Sequence, residues 1–187
     1  MEGTILYLVR HCESDRKVDE DLLRPLTDKG REQAAQVTEH LRNKAIAAIY
    51  SSDTRRTLDT IDALARATGL AVRTDVRLRE GVLGCPREEN PLHSKRQWSD
   101  PEYRLPQGES LSQVQGRMRE CLYEIVQKES GRAAVVCTHG TAICTLLQYF
   151  CPPFGWEQAK AVKKKWPWVL RFEFDGEGRF VRYEEEM

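Results

Sequence analysis

The stretch TILYLVRHC, residues 4–12, joins a continuous apolar run to an arginine and a histidine. An unbroken run of this length reads as a strand buried on both faces, the kind found inside a parallel sheet. Such a strand, Thr4–Val9, leaves a guanidinium (Arg10) beside an imidazole (His11) at its carboxyl end. That pair suits a site that binds and attacks an anion.

Three further runs read as buried strands: Ile46–Tyr50, Leu70–Thr74 and Ala133–Thr138. Helical patterns separate them. Asp28–Lys44 carries Ala34, Val37 and Leu41 on one face behind Thr27 as N-cap. Asp53–Thr68 repeats Leu58, Ile61 and Ala65 and stops at Gly69. Ser110 to Gln113 fits a capping box, opening a helix with a stripe of Leu111, Val114, Met118, Leu122 and Ile125. Gly140–Phe150 reads as another helix. Val169–Phe174 and Phe180–Glu184 flank Asp175–Gly178 as a hairpin at the sheet edge. The alternation predicts an α/β fold, a three-layer α/β/α sandwich around a mostly parallel central sheet. Ligands of such sheets gather at the carboxyl ends of the strands. Arg10 and His11, Ser51 and Ser52, and His139 all fall on that rim.

Length and charge bound the rest. A chain of 187 residues builds one good core, so residues 1–187 are expected to form a single domain. With 29 basic and 29 acidic side chains the global field cancels, which argues against general nucleic-acid binding. No apolar run is long enough to span a bilayer, and the first residues carry no basic export signal. The six cysteines are scattered without a C-x-x-C pair, and the expectation is reduced thiols in a cytoplasmic protein. Gly81–Gly108, rich in Pro and charge, is the least regular region and is expected to be an insertion covering a pocket.

His11 is the candidate nucleophile: a neutral imidazole nitrogen attacks phosphorus well, provided the other nitrogen is held as a donor by backbone. A structural histidine at a strand end is the competing reading. Arg10 and Arg56 are candidate phosphate clamps, since guanidinium forks match phosphate oxygens, and Arg56 stands near a helix start. Arg55 is assigned to solvent. His139, at a strand-to-helix turn before Gly140, is expected as a second, cationic or donor imidazole across the phosphate. Glu80 is the candidate general acid, while Glu109 and Ser110 read more simply as helix-start residues, with Glu109 ordering the pocket as the alternative. A metal cluster of His11, Cys12, Cys137 and His139 matches no familiar zinc spacing. Lys163–Lys165, with Trp166 and Trp168, hints at a membrane or nucleic-acid patch but reads more simply as a solvated guard on an edge strand.

In order along the chain stand Arg10-His11-Cys12-Glu13-Ser14, RPLTDKGREQA (24–34), SSDTRRTLDT (51–60), LREG (78–81), GES (108–110) and THG (138–140). Together they resemble the histidine phosphatase superfamily, in its phosphoglycerate mutase-like branch. The resemblance implies that fold and a phosphohistidine mechanism without metal or other cofactor. It implies a small phosphorylated substrate. His11 would be the nucleophile, Arg10, Arg56 and His139 would hold the phosphoryl group, and Glu80 would donate the proton. Ser14 of the first motif is carried over as a substrate contact.

Departures from the family pattern are visible. Cys12 replaces the usual glycine, and its thiol, beside the nucleophile, is either an oxidation-sensitive block or an inert small residue. Lys17 stands where many members carry an asparagine that touches phosphate, and would supply charge instead. Thr54 and Thr57 replace a frequent leucine and alanine, with effects expected on packing. The short gap after the nucleophile, and GVLGCPREENP after Glu80 where the mutases carry Y-G-x-L-x-G-x-N-K, favour a phosphatase. A mutase-type phosphotransferase and a non-catalytic phospho-ligand binder are the alternatives. Arg87, Lys95, Arg96, Trp98 and Tyr103 are candidate pocket contacts. Substrate identity and oligomeric state are not readable from the sequence.

Overall fold

The computed structural model describes residues 3–86 and 90–187. Arg87, one of the expected pocket contacts, lies outside the described residues. Six strands form one sheet: β1 (Thr4–Arg10), β2 (Ile46–Ser51), β3 (Val72–Thr74), β4 (Ala133–Thr138), β5 (Trp168–Phe174) and β6 (Phe180–Glu185). Their spatial order is β3-β2-β4-β1-β5-β6. The β1–β4, β2–β4 and β2–β3 pairs are parallel, whereas β5 runs antiparallel to both β1 and β6. The sheet is therefore mostly parallel, with the expected hairpin at one edge.

Period-two geometry divides β1 between two cores. Leu6 and Leu8 face a cluster built with α4 (Leu111–Lys128) and α5 (Gly140–Phe150). Tyr7 and Val9 face a second cluster built with α1 (Asp28–Leu41) and α2 (Arg55–Thr68). Helices thus cover both faces, giving the three-layer sandwich. Thr27 caps α1 by accepting from the Gly30 N–H at 3.0 Å. Ser110 and Gln113 make the capping box of α4. Gly69 ends α2 in the left-handed region at φ 70°.

Two elements depart from the periodicity. Gly81–Gly108 contains α3 (Asn90–Ser99), and a seven-residue helix, α6 (Trp156–Val162), precedes β5. Both are too short or too polar to show an apolar stripe in sequence. The expected third strand shrinks to Val72–Thr74, because it pairs only with β2 at the sheet's end.

The lysine run needs correction. β5 lies inside the sheet, between β1 and β6, so Lys163–Lys165 does not guard an edge. The turn instead folds over the start of the rim. Carbonyl oxygens of Val162 and Lys165 accept from Arg10 Nη1 at 2.9 and 3.1 Å, and the Trp166 ring covers the Arg10 guanidinium at 4.3 Å. Lys165 turns outward to Glu185.

Candidate active site

The rim is assembled by backbone bonds from β4 to its neighbours. The His11 N–H donates to the Thr138 carbonyl and the Ser52 N–H to that of Cys137, each at 2.9 Å. Adjacent parallel strands therefore deliver His11, Ser52 and His139 to one place.

The loop behind His11 is clamped from α1 and α2. Cys12 N–H donates to Thr60 Oγ1 at 3.0 Å, Glu13 N–H to Gln33 Oε1 at 2.9 Å, and Thr27 N–H to the Glu13 carbonyl at 3.0 Å. A Cβ on Gly30 would come within 2.0 Å of that carbonyl oxygen. This explains the L-T-x-x-G-x-x-Q pattern: the cap, the glycine and the glutamine all grip the nucleophile loop.

His11 donates Nδ1–H to the Cys12 carbonyl at 2.7 Å, because a carbonyl only accepts, and in the neutral ring Nε2 is left bare. Burial first, then the positive charges of Arg56, Arg10 and Arg24, hold the imidazole pKa at about 3. The ring is neutral and ready to attack at ordinary pH.

Arg10 and Arg56 are both buried, with 6% and 2% of their surface exposed, and Nε of each has no partner among the described residues. Two immobilised cations, each with an N–H that has no partner among the described residues, supply positive charge beside His11. A Cβ on Gly140 would lie 3.2 Å from Arg10 Nε, so the glycine of T-H-G makes room for that guanidinium. Arg55 pairs with Asp59 on the surface, as assigned.

Of the two forms expected for His139, cationic or donor, the structure has the donor. It is fully buried, and burial together with the neighbouring His11 and Arg56 holds its pKa well below the usual value, so it is neutral rather than cationic. Arg56 Nη2 donates to its Nδ1 at 3.1 Å, which leaves Nε2–H to donate to Ser52 Oγ at 3.0 Å. Its ring centroid stands 5.2 Å from that of His11. The imidazole therefore fixes Arg56 and Ser52, and its single N–H is committed.

Glu80 accepts from the N–H groups of Gly81 and Ala142 on Oε1 and of Thr141 on Oε2, at 3.0 to 3.1 Å. It thus sits against the first turn of α5. Its loop is held by Arg117, which donates to the carbonyls of Arg77, Arg79 and Glu80 and forks onto Glu109 at 2.8 and 2.9 Å. Glu109 takes the second of its two readings, ordering the pocket: it anchors this arginine and also accepts from the Val82 N–H. Arg79 grips Asp53, joining the Ser52 and Glu80 loops.

Other expected contacts fall elsewhere. Lys17 is exposed, its backbone N–H bound to Asp15, and the extra cation near His11 is Arg24. Ser14 is half-buried and bridges to Leu26 in an isolated β-bridge. Cys12 has no left-handed φ, so glycine is not required there. Its thiol belongs to the α1–α2 core and burial pushes its pKa up to about 12, which fits the inert small residue of the two readings. Thr57 donates to the Ser52 or Thr54 carbonyl at 2.8 Å, a packing role. Among the described residues no set of three metal-ligating side chains gathers, and the Cys137 thiol donates to the Thr57 carbonyl.

The insertion residues pack on one another. Arg96 lies over the Tyr103 ring at 4.0 Å, His93 bonds the Tyr103 hydroxyl at 2.7 Å, and Trp98 meets Phe154. Lys95 is exposed. Gln97 ties the segment to the Glu109 carbonyl at 2.7 Å.

The model of the histidine phosphatase superfamily (branch 1) matches residues 6–184. The chain belongs to that superfamily. A probable phosphoglycerate mutase GpmB of Klebsiella pneumoniae is 34% identical over 155 residues, covering 76% of this chain and 72% of the relative. Among solved structures, Bacillus stearothermophilus YhfR superposes with a TM-score of 0.77 at 29% identity, over 95% of this chain and 94% of that one. A mycobacterial glucosyl-3-phosphoglycerate phosphatase, solved with inorganic phosphate, gives 0.75 at 27% identity, over 98% and 95%. The superfamily contains phosphatases and mutases alike, and the fold is that of its phosphoglycerate mutase-like members. No helix among the described residues is long and apolar enough to cross a membrane.

Three side chains at this site, Arg24, Asp21 and Arg117, had no role readable in sequence, and one, Ser52, had a place but no partner. Arg24 lay inside the quoted RPLT motif, but its role depends on where the loop turns. Ser52 was placed on the rim without a partner. Asp21 and Arg117 carried no local signal.

Proposed function

We propose that the protein is a phosphomonoester hydrolase that works through a phosphohistidine on His11. The observation that carries this is the bare Nε2 of a neutral, half-buried imidazole beside two buried guanidiniums with unpartnered N–H groups. Nε2 forms a bond to phosphorus as the ester P–O bond breaks in line, and Glu80 gives its proton to the departing alcohol oxygen. Water then attacks the phosphohistidine, Glu80 takes back a proton, and the P–N bond breaks to release inorganic phosphate. One difficult displacement becomes two easier ones.

Arg10 and Arg56 neutralise the charge on the equatorial oxygens, the main demand of phosphoryl transfer. His139 acts through Arg56. In this reading no metal or cofactor is used, and the substrate is a small phosphorylated molecule; Lys17 and Ser14 are kept only as outer contacts.

The test is phosphate release from a panel of phosphomonoesters with EDTA present, alongside acid-labile labelling of His11. Turnover and label should both vanish in His11→Ala. Activity surviving that substitution would falsify the mechanism. The mutase name of the sequence relatives supports a second reading, in which the phosphoryl group returns to the substrate. Isomerisation of phosphoglycerates that outpaces phosphate release would select it. A non-catalytic binder would bind phosphate without labelling His11.

A further inference from the structure

Asp21, in a 3-10 turn spanning Asp21–Leu23, faces both terminal nitrogens of Arg56. Its carbonyl accepts from Nη1 at 2.6 Å and its Oδ2 from Nη2 at 3.0 Å, while Oδ1 lies 3.2 Å from Arg24 Nη2. We infer that Asp21 is a built-in competitor for the anion site: its carboxylate occupies Arg56 between substrates and lowers the affinity of the clamp for any phosphate ester. The inference rests on the phosphatase reading, since it concerns the same phosphate clamp.

Mobility separates the two partners. The Arg56 side chain is 3% exposed and also bonded to His139, so it stays where it is. The Asp21 side chain is 55% exposed on a three-residue turn, so its carboxylate can rotate into water. A substrate reaching the terminal fork of Arg56 must displace this carboxylate or bind beside it. A phosphomonoester, with a second pKa of about 6, brings nearly two charges against one at neutral pH. A phosphodiester brings one, and both bear the same cost of displacing the carboxylate. The oxygens of Asp21 satisfy two arginines between substrates, so the pocket keeps its cations without leaving both forks bare.

Titration calorimetry on the full chain tests this, with inorganic phosphate and dimethyl phosphate as probes, comparing wild type with Asp21→Asn. Phosphate should bind about five- to tenfold more tightly to the variant, the scale for removing one like charge at a partly solvated site. Dimethyl phosphate should gain by a similar factor, because both anions displace the same carboxylate. In steady-state assays KM for a phosphomonoester should fall, with kcat within about twofold of wild type, the split expected when ground-state binding alone changes. Unchanged or weaker phosphate binding in Asp21→Asn, with His11 still phosphorylated, overturns the inference and leaves the phosphatase reading standing. Weaker binding with reduced kcat would make Asp21 a positioning residue for Arg56. If neither protein binds phosphate and His11 takes no label, the phosphatase reading falls and the inference falls with it.

Discussion

Gly30 lies so close to Glu13 that a Cβ on the glycine would come within 2.0 Å of the Glu13 carbonyl oxygen. Both sides of that contact are backbone, fixed by the Thr27 cap and the Gln33 bond. Gly30→Ala should therefore cost about 2–4 kcal/mol of stability and reduce turnover, by pushing the loop that carries His11. Gly116→Ala, where a Cβ meets nothing within 4 Å, serves as the control and should be stabilising by about 0.5–1 kcal/mol. Thermal unfolding and kcat/KM of both variants check the pair.

Arg117 holds three carbonyls of the turn and loop that end in Glu80. Arg117→Met should lower kcat about tenfold while changing KM little, because it displaces the proton donor and spares the phosphate clamps. Arg117→Lys should recover little, since an ammonium cannot reproduce the fork onto Glu109. Equal losses in kcat and KM affinity would show that the arginine supports the whole pocket instead.

Both rim histidines are held neutral, with folded pKa values below the ordinary 6.5 and about 3 for His11. As pH falls, the unfolded chain takes up their protons first. Their contribution to stability is thus complete above about pH 6.5 and is lost progressively as pH drops towards 3. The melting temperature should fall between pH 6.5 and 4.5, before the carboxylates with depressed pKa titrate. His11→Asn should show a shallower slope over that window.

The Cys12 thiol is buried and its pKa stands at about 12, so it is protonated and shielded at physiological pH. Native protein treated with iodoacetamide at pH 8 should remain unmodified at Cys12, with the partly exposed Cys85 and Cys151 labelled first. Peroxide should inactivate Cys12→Ser and wild type at the same rate. Peptide mass spectrometry and residual activity read the two results.

The strand pattern and the capped helices were legible because each depends on near neighbours. Continuous apolar runs mark strands covered on both faces, and Thr27 and Ser110 act over three residues. The carboxyl rim followed from strand direction alone, and with it the common location of His11, Ser52 and His139. The backbone partner of His11 was also foreseeable, since it lies one residue away.

What the tertiary structure decided are the partners reached across long loops. Arg10 is seated by carbonyls more than 150 residues away, so a lysine run that read as an edge guard is part of the clamp's mounting. Arg56 meets Asp21 at a separation of 35 residues and His139 at 83, and burial beside His11 and Arg56 selects the neutral donor form of the imidazole expected as cationic or donor. The fate of the Cys12 thiol likewise depended on which way one side chain faced. Local sequence encodes backbone state and burial pattern; charge state and hydrogen-bond partner follow from the packing of distant segments, which no short pattern contains.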